Sequence, residues 1–174
     1  MALVWKAFER NEVTHSAVHH LIAIAQLIDD VGYARVTDVA TRLNITRGSV
    51  SITLSAMEKS GFVERDRNRF LQLTPEGQFI ARTTQIKKVL LKRFLKEILT
   101  VSHEVAEIDS CKIEHLISLE TGHRLCDLMQ FLDSNHPAAQ AFLKAFQEFS
   151  SGHQCEDENC PLCGDDCLLK IEVE

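Results

Sequence analysis

Three side chains with metal-binding chemistry lie close together in the second half of the chain. Cys111, Glu114 and His115 are spaced i, i+3 and i+4, which places them on one helix face with Cβ atoms about 5–6 Å apart. A thiolate, a carboxylate and an imidazole that converge there supply three ligands of a four-ligand transition-metal site. The same residue types also occur together on ordinary amphipathic helices, which is the alternative interpretation.

A second group of metal-binding side chains lies near the C-terminus. The pattern C-x4-C-x2-C-x3-C is formed by Cys155, Cys160, Cys163 and Cys167. Clustered C-x2-C and C-x4-C steps suit an iron–sulfur cluster, whereas Cys-Pro-Leu-Cys-Gly is similar to a zinc knuckle. We therefore expect an iron–sulfur cluster or a zinc ion here, and we prefer the cluster. An acidic tail with incidental thiols is the alternative.

The elements that must position these groups begin upstream, where residues 37–74 have the pattern of a winged helix-turn-helix. Residues 36–43 carry apolar side chains at the i, i+3, i+4 and i+7 positions of one helix face. Thr46 can cap a second helix through its hydroxyl group. Residues 62–65 and 69–73 alternate in the way that two strands of a hairpin do. The pattern predicts a helix, a tight turn, a recognition helix and a wing.

The positive charge of the chain is concentrated on this segment. The formal net charge is −6, yet residues 35–96 hold 13 basic and 5 acidic side chains, whereas residues 97–174 hold 4 basic and 16 acidic ones. Such a basic region is typical of a surface that binds phosphates. The side chains that we expect to enter the major groove of double-stranded DNA are Thr46, Arg47, Ser49, Ser51 and Thr53. Those that we expect to hold the DNA backbone or minor groove are Arg65, Arg67 and Arg69.

The predicted fold class is mainly α, with an N-terminal winged helix-turn-helix, a helical dimerisation domain and a cysteine-rich C-terminal tail. These three parts would span residues 1–75, 76–150 and 151–174. In the middle part, one helix is predicted from Pro75 to Leu99, and another opens at Asp109 or Ser110. A last short helix covers residues 137–149. The apolar face of the first of these helices is expected to point inward and consists of Phe79, Ile86, Val89, Leu90, Phe94 and Ile98.

Composition and motifs also argue against several classes of protein. No apolar run approaches the roughly 18 residues that a membrane span needs, and the N-terminus is too short and too soon charged for a signal peptide. We therefore expect a cytoplasmic protein without membrane contact. The sequence offers no nucleophile–base pair and no phosphate-binding glycine loop, so we expect neither an enzyme nor a small-molecule substrate.

These segments resemble the diphtheria toxin repressor / manganese transport regulator family of metal-dependent repressors. The resemblance covers about residues 14–133, and its landmarks are residues 32–40, 49–51, 73–77 and 113–118. It implies a homodimer on a palindromic operator, with a metal that bridges the first helix, predicted from Val13 to Val31, to the dimerisation domain. The ligands that it implies are His19, Cys111, Glu114 and His115. A thiolate with two imidazoles is a soft donor set, so iron(II) is favoured, with zinc, cobalt or manganese as alternatives.

The resemblance also marks positions where this chain differs. Manganese regulators have a glutamate at the position of Ile22. A second family site falls on Lys88, Lys92 and Glu107, and charged ammonium groups cannot ligate a cation, so we expect an ion pair there.

Two other functions stay open on the sequence. In one, the cysteine tail of a winged-helix regulator senses redox state or an iron–sulfur cluster. In the other, the protein handles metal or electrons and does not read DNA.

Overall fold

Helix caps written into the sequence set the element boundaries in residues 13–152, the part of the chain that the computed structural model describes. The threonine hydroxyls of Thr14, Thr46 and Thr74 each accept a hydrogen bond from a first-turn amide at 3.2 Å. The described elements are α1 (His15–Val31), α2 (Val36–Leu43), α3 (Arg47–Lys59), β1 (Val63–Arg65), β2 (Leu71–Leu73), α4 (Pro75–Arg93), a π-helical turn (Phe94–Ile98), α5 (His103–Ile113), α6 (Leu119–Asp133) and α7 (Pro137–Gly152). They form two compact units, one that ends at Asp127 and one that begins at Leu128.

The first unit contains the predicted winged helix-turn-helix. Its core is built around α1, whose Leu21 and Ile24 are fully buried against side chains of α2, α3 and the wing. The two strands pair antiparallel, with Val63 opposite Leu73. The base of the wing is fixed by the Leu71 amide, which donates to the Ala34 carbonyl at 2.8 Å. The Arg35 guanidinium also lies 5.0 Å from the centre of the Phe70 ring, within the range of a cation–π contact.

Helix α4 differs from the prediction in its buried face and in its end. Phe79, Ile86 and Val89, which were expected to point inward, are each at least half exposed. The side that is buried instead carries small residues, including Gly77 and Ala81. A Cβ atom at Gly77 would overlap the Phe62 carbonyl, so this close approach requires glycine. The α-helix ends at Arg93, and the π-helical turn replaces its predicted continuation to Leu99.

Helix α5 begins earlier than predicted. Ser102 caps it, with the Val105 amide donating to the serine hydroxyl at 3.3 Å. It ends at Ile113, so Glu114 is its C-terminal cap residue. Helix α4 packs against α1 and also against α5, and it is therefore the shared support that brings these two helices together.

The remaining predictions concern the second unit and the chain ends. The last predicted helix is present as α7, which extends to Gly152. Cys155, Cys160, Cys163 and Cys167 lie outside the described residues. None of the helices in residues 13–152 has the length and apolarity of a membrane span.

Candidate metal centre and DNA-binding surface

The candidate metal centre lies where α1 meets the end of α5. His19 Nε2 is 3.3 Å from Cys111 Sγ and 3.6 Å from Glu114 Oε1. Ligand atoms on one tetrahedral ion are about 3.3–3.7 Å apart, given metal–ligand bonds of about 2.0–2.3 Å. His19 is thus at the spacing from Cys111 and from Glu114 that two ligands of one shared cation need.

The carboxylate of Glu114 has the burial and the missing hydrogen-bond partner that are expected of a cation ligand. Its side chain has no exposed surface, and neither carboxylate oxygen has a hydrogen-bond partner within the described residues. Burial raises the pKa of Glu114 to about 7. A buried carboxylate is strongly unfavourable without a compensating charge. A divalent cation between Glu114, His19 and Cys111 would supply that charge.

The pKa values of the other ionisable groups at the centre are shifted from their ordinary values. Burial, followed by the charge of His15, lowers the pKa of His19. Burial also lowers the pKa of His115. The imidazoles therefore favour the neutral form, which has a free lone pair. Burial, followed by the charge of Glu114, raises the pKa of the Cys111 thiol. Loss of that thiol proton is then coupled to the arrival of a cation.

The fourth predicted ligand, His115, has a neighbour that the sequence reasoning missed. Its Nδ1 lies 3.4 Å from Nδ1 of His15, on the first turn of α1. His15, His19 and Cys111 each present a ligand atom, and these atoms all lie within 4.8 Å of one another. The i, i+4 spacing of His15 and His19 in the sequence was the signal that could have identified His15.

The predicted ion pair is confirmed at the position of the second family site. Lys92 Nζ donates to Glu107 Oε1 at 2.7 Å, and Lys88 Nζ lies 3.9 Å from Glu107 Oε2. The hydrogen bond from Lys92 is the main reason that the pKa of Glu107 is lowered. Two lysine side chains of α4 thus hold a carboxylate of α5.

The predicted DNA-binding residues lie on α3 and the wing. Four of the five on and before α3 are exposed, and Thr53 is half-buried. The Thr46 and Ser49 hydroxyl groups lie 2.9 Å apart and form part of the helix cap. On the wing, Arg65 is already paired with Glu58. Sequence reasoning missed Ile52, an apolar side chain of α3 that is 76% exposed.

Comparison with known proteins assigns both halves of this arrangement to one family. Residues 12–71 match the family model described as "Iron dependent repressor, N-terminal DNA binding domain". Residues 74–141 match "Iron dependent repressor, metal binding and dimerisation domain". The chain belongs to the iron-dependent repressor family. This iron-dependent repressor therefore has a DNA-binding domain and a metal-binding domain, as the resemblance implied.

Individual relatives agree with the family. The HTH-type transcriptional regulator MntR of Lysinibacillus sphaericus is 34% identical over 122 residues, which cover 70% of this chain and 87% of that protein. The solved structure of the manganese regulator SloR matches with a TM-score of 0.59 at 20% identity, over 66% of this chain and 53% of SloR. IdeR of T. acidophilum matches with a TM-score of 0.54 at 23% identity, over 65% of this chain and 53% of that chain. These structural likenesses support the fold of the repressor.

Family membership argues against one of the two other functions that the sequence left open. The family is one of metal-dependent transcriptional regulators, which are not enzymes. The match to a DNA-binding domain argues against a metal- or electron-handling protein that does not read DNA.

Proposed function

We propose that this protein is a cytoplasmic, dimeric repressor of metal homeostasis genes. Its affinity for a palindromic double-stranded operator would depend on a divalent metal held by His19, Cys111, Glu114 and His115. The observation that carries the proposal is the buried carboxylate of Glu114, which has no hydrogen-bond partner within the described residues and lies 3.6 Å from His19 Nε2. A bound cation supplies the positive charge that this carboxylate lacks.

The mechanism follows from the elements to which these residues belong. His19 lies on α1, which packs against α2 and α3, whereas Cys111 and Glu114 lie at the end of α5. A metal held by residues of both α1 and α5 would fix the position of the DNA-binding helices relative to α5. In a two-fold dimer, that position sets the spacing of the two recognition helices, which has to match the spacing of the operator half-sites. Large apolar side chains exposed on α4 and α5 offer a surface to a second copy, among them Ile86, Val105 and Ile108.

The DNA contacts divide into two groups. The major groove would be read by residues of α3 and its cap, namely Thr46, Arg47, Ser49, Ser51 and Thr53. The wing would hold the backbone or minor groove with Arg65, Arg67 and Arg69. Among these arginines, Arg67 and Arg69 have no ion pair within the described residues, so they are the better phosphate ligands.

Iron(II) is our first choice of metal, with zinc, cobalt and manganese as alternatives. A thiolate and two imidazoles favour iron(II) over manganese(II), and the matched family models are described as iron-dependent. The structurally similar protein SloR is a manganese regulator, which keeps manganese among the metals to be tested.

The cysteine tail is proposed to hold an iron–sulfur cluster or a zinc ion at Cys155, Cys160, Cys163 and Cys167. The support is their spacing in the sequence. With a cluster, the tail could act as the redox sensor of the same regulator. Iron with matching acid-labile sulfide in protein purified without oxygen would support the cluster, and zinc without sulfide would support a structural clip.

The metal switch is tested by binding to a duplex selected from a random pool with metal-loaded protein. We expect divalent metal to strengthen binding by the wild type, and we expect His115→Ala to abolish that dependence. His123→Ala, which changes an exposed histidine of α6, is the matched control. If His115→Ala binds the duplex with unchanged metal dependence, the proposed switch is wrong.

A further inference from the structure

His15 lies at the edge of the metal centre, one helical turn before His19. The two rings are 4.4 Å apart between their centres and meet edge to face. On its other side, His15 faces His115, with ring centres 4.8 Å apart and Nδ1 atoms 3.4 Å apart. His15 therefore contacts both predicted imidazole ligands.

The donor atoms around His15 lie close enough together to bind one metal ion. Two histidines spaced i, i+4 on one helix can bind one ion together, because both side chains lie on the same helix face. The ligand atoms of His15, His19 and Cys111 all lie within 4.8 Å of one another. Glu114 Oε1 lies 3.6 Å from His19 Nε2, and this side chain is fully buried and has no hydrogen-bond partner within residues 13–152. Movement of about 1 Å would bring the more distant atoms to ligand spacing.

We propose that His15 is a further ligand of this centre, which therefore selects imidazole- and thiolate-binding ions such as Zn²⁺, Co²⁺ and Fe²⁺ against Mn²⁺. This role presupposes the metal centre proposed above. The donors would then be three imidazoles, one thiolate and one carboxylate. Manganese(II) prefers oxygen ligands, and here only Glu114 supplies them. Ile22, three residues after His19 on α1, has no ligand atom, and the fold supplies His15 from the same helix instead.

The experiment uses the full chain with all four tail cysteines changed to serine, so that the tail does not compete for metal. His15→Ala, His15→Gln and the control His123→Ala are compared with this parent. Competition with a chelator gives the Zn²⁺ and Mn²⁺ affinities, and the absorption of the Co²⁺ form reports the ligand set. Circular dichroism of the metal-free proteins checks that the fold is kept.

We expect His15→Ala and His15→Gln to lower the Zn²⁺ affinity at least about tenfold, to lower the Mn²⁺ affinity much less, and to change the Co²⁺ spectrum. Glutamine keeps a hydrogen-bonding group that can reach His115 but has no imidazole. If His15→Gln restores the affinity and spectrum of the parent, His15 only positions His115 and the proposal is overturned. Equal losses for both metals, or an unchanged Co²⁺ spectrum, would overturn it as well.

DNA binding by the same parent protein separates this inference from the proposed function. If metal does not alter its affinity for the selected duplex, the regulatory switch fails. The role of His15 is still decided by the metal affinities and the Co²⁺ spectrum.

Discussion

His19 Nε2 lies 3.3 Å from Cys111 Sγ, although 92 positions separate the two residues in the chain. This contact joins α1 to α5, so a metal held by both residues should stabilise the fold. At a free metal concentration of about 100 times Kd, binding to the folded state alone raises the free energy of unfolding by about 2.7 kcal/mol. We expect a raised Tm for the tail-serine parent with metal, reversal by a chelator, and little shift for His19→Ala. An equal shift in His19→Ala and in the parent would place the metal elsewhere.

The wing arginines should differ in their contribution to DNA binding. Arg67 and Arg69 are exposed, whereas Arg65 is paired with Glu58. We expect Arg67→Ala and Arg69→Ala each to reduce the slope of log K against log salt by about one unit. Arg65→Ala should reduce it less. The measurement is duplex binding over a salt series. A wing variant that changes base preference but keeps the slope would contradict this division of roles.

Ile22 is a position from which the metal preference could be changed. It lies on α1 close to one turn after His19, and it lines the same cavity as His19 and Glu114. We expect Ile22→Glu to raise the affinity for Mn²⁺ relative to Zn²⁺ by about tenfold, or about 1.4 kcal/mol, because it adds a carboxylate ligand. The matched control is Ile22→Gln, because glutamine has nearly the same shape as glutamate but carries no charge. Equal Mn²⁺ affinities for the two variants would rule out ligation from this position.

The Lys92–Glu107 pair should contribute pH-dependent stability. Lys92 lowers the pKa of Glu107 below its ordinary value of 4.5. The stabilisation is therefore complete above the unfolded-state pKa and is lost as the pH falls through the lower folded-state pKa. Both side chains are about one-third exposed. We therefore expect Lys92→Ala to lower the free energy of unfolding by about 0.2–1 kcal/mol at pH 7. Lys96→Ala, at an exposed lysine, is the control. The measurement is denaturant unfolding of the wild type and of Lys92→Ala over a pH series. A difference in their free energies of unfolding that grows toward low pH would contradict the prediction.

Much of the first unit could be predicted from the sequence because its signals are local. The threonine caps at Thr46 and Thr74 act within one helical turn, and the alternation of the wing needs only neighbouring residues. The spacing of Cys111 and Glu114 is also local, but the predicted helix face does not extend to His115, because α5 ends at Ile113 and Glu114 is its cap residue. Local chemistry of this kind is readable before the chain is folded.

What only the tertiary structure decided depends on which surfaces meet. Phe79 and Val89 are exposed because α4 packs through its small residues, and periodicity alone does not show which stripe a neighbouring helix covers. The pairing of Arg65 with Glu58 and the approach of His15 to His115 likewise join separate elements. The sequence by itself thus determined the elements and most candidate ligands. The packing of α1 and α5 against α4 decided which of those ligands face one another, because that requires burial of surfaces far apart in the chain.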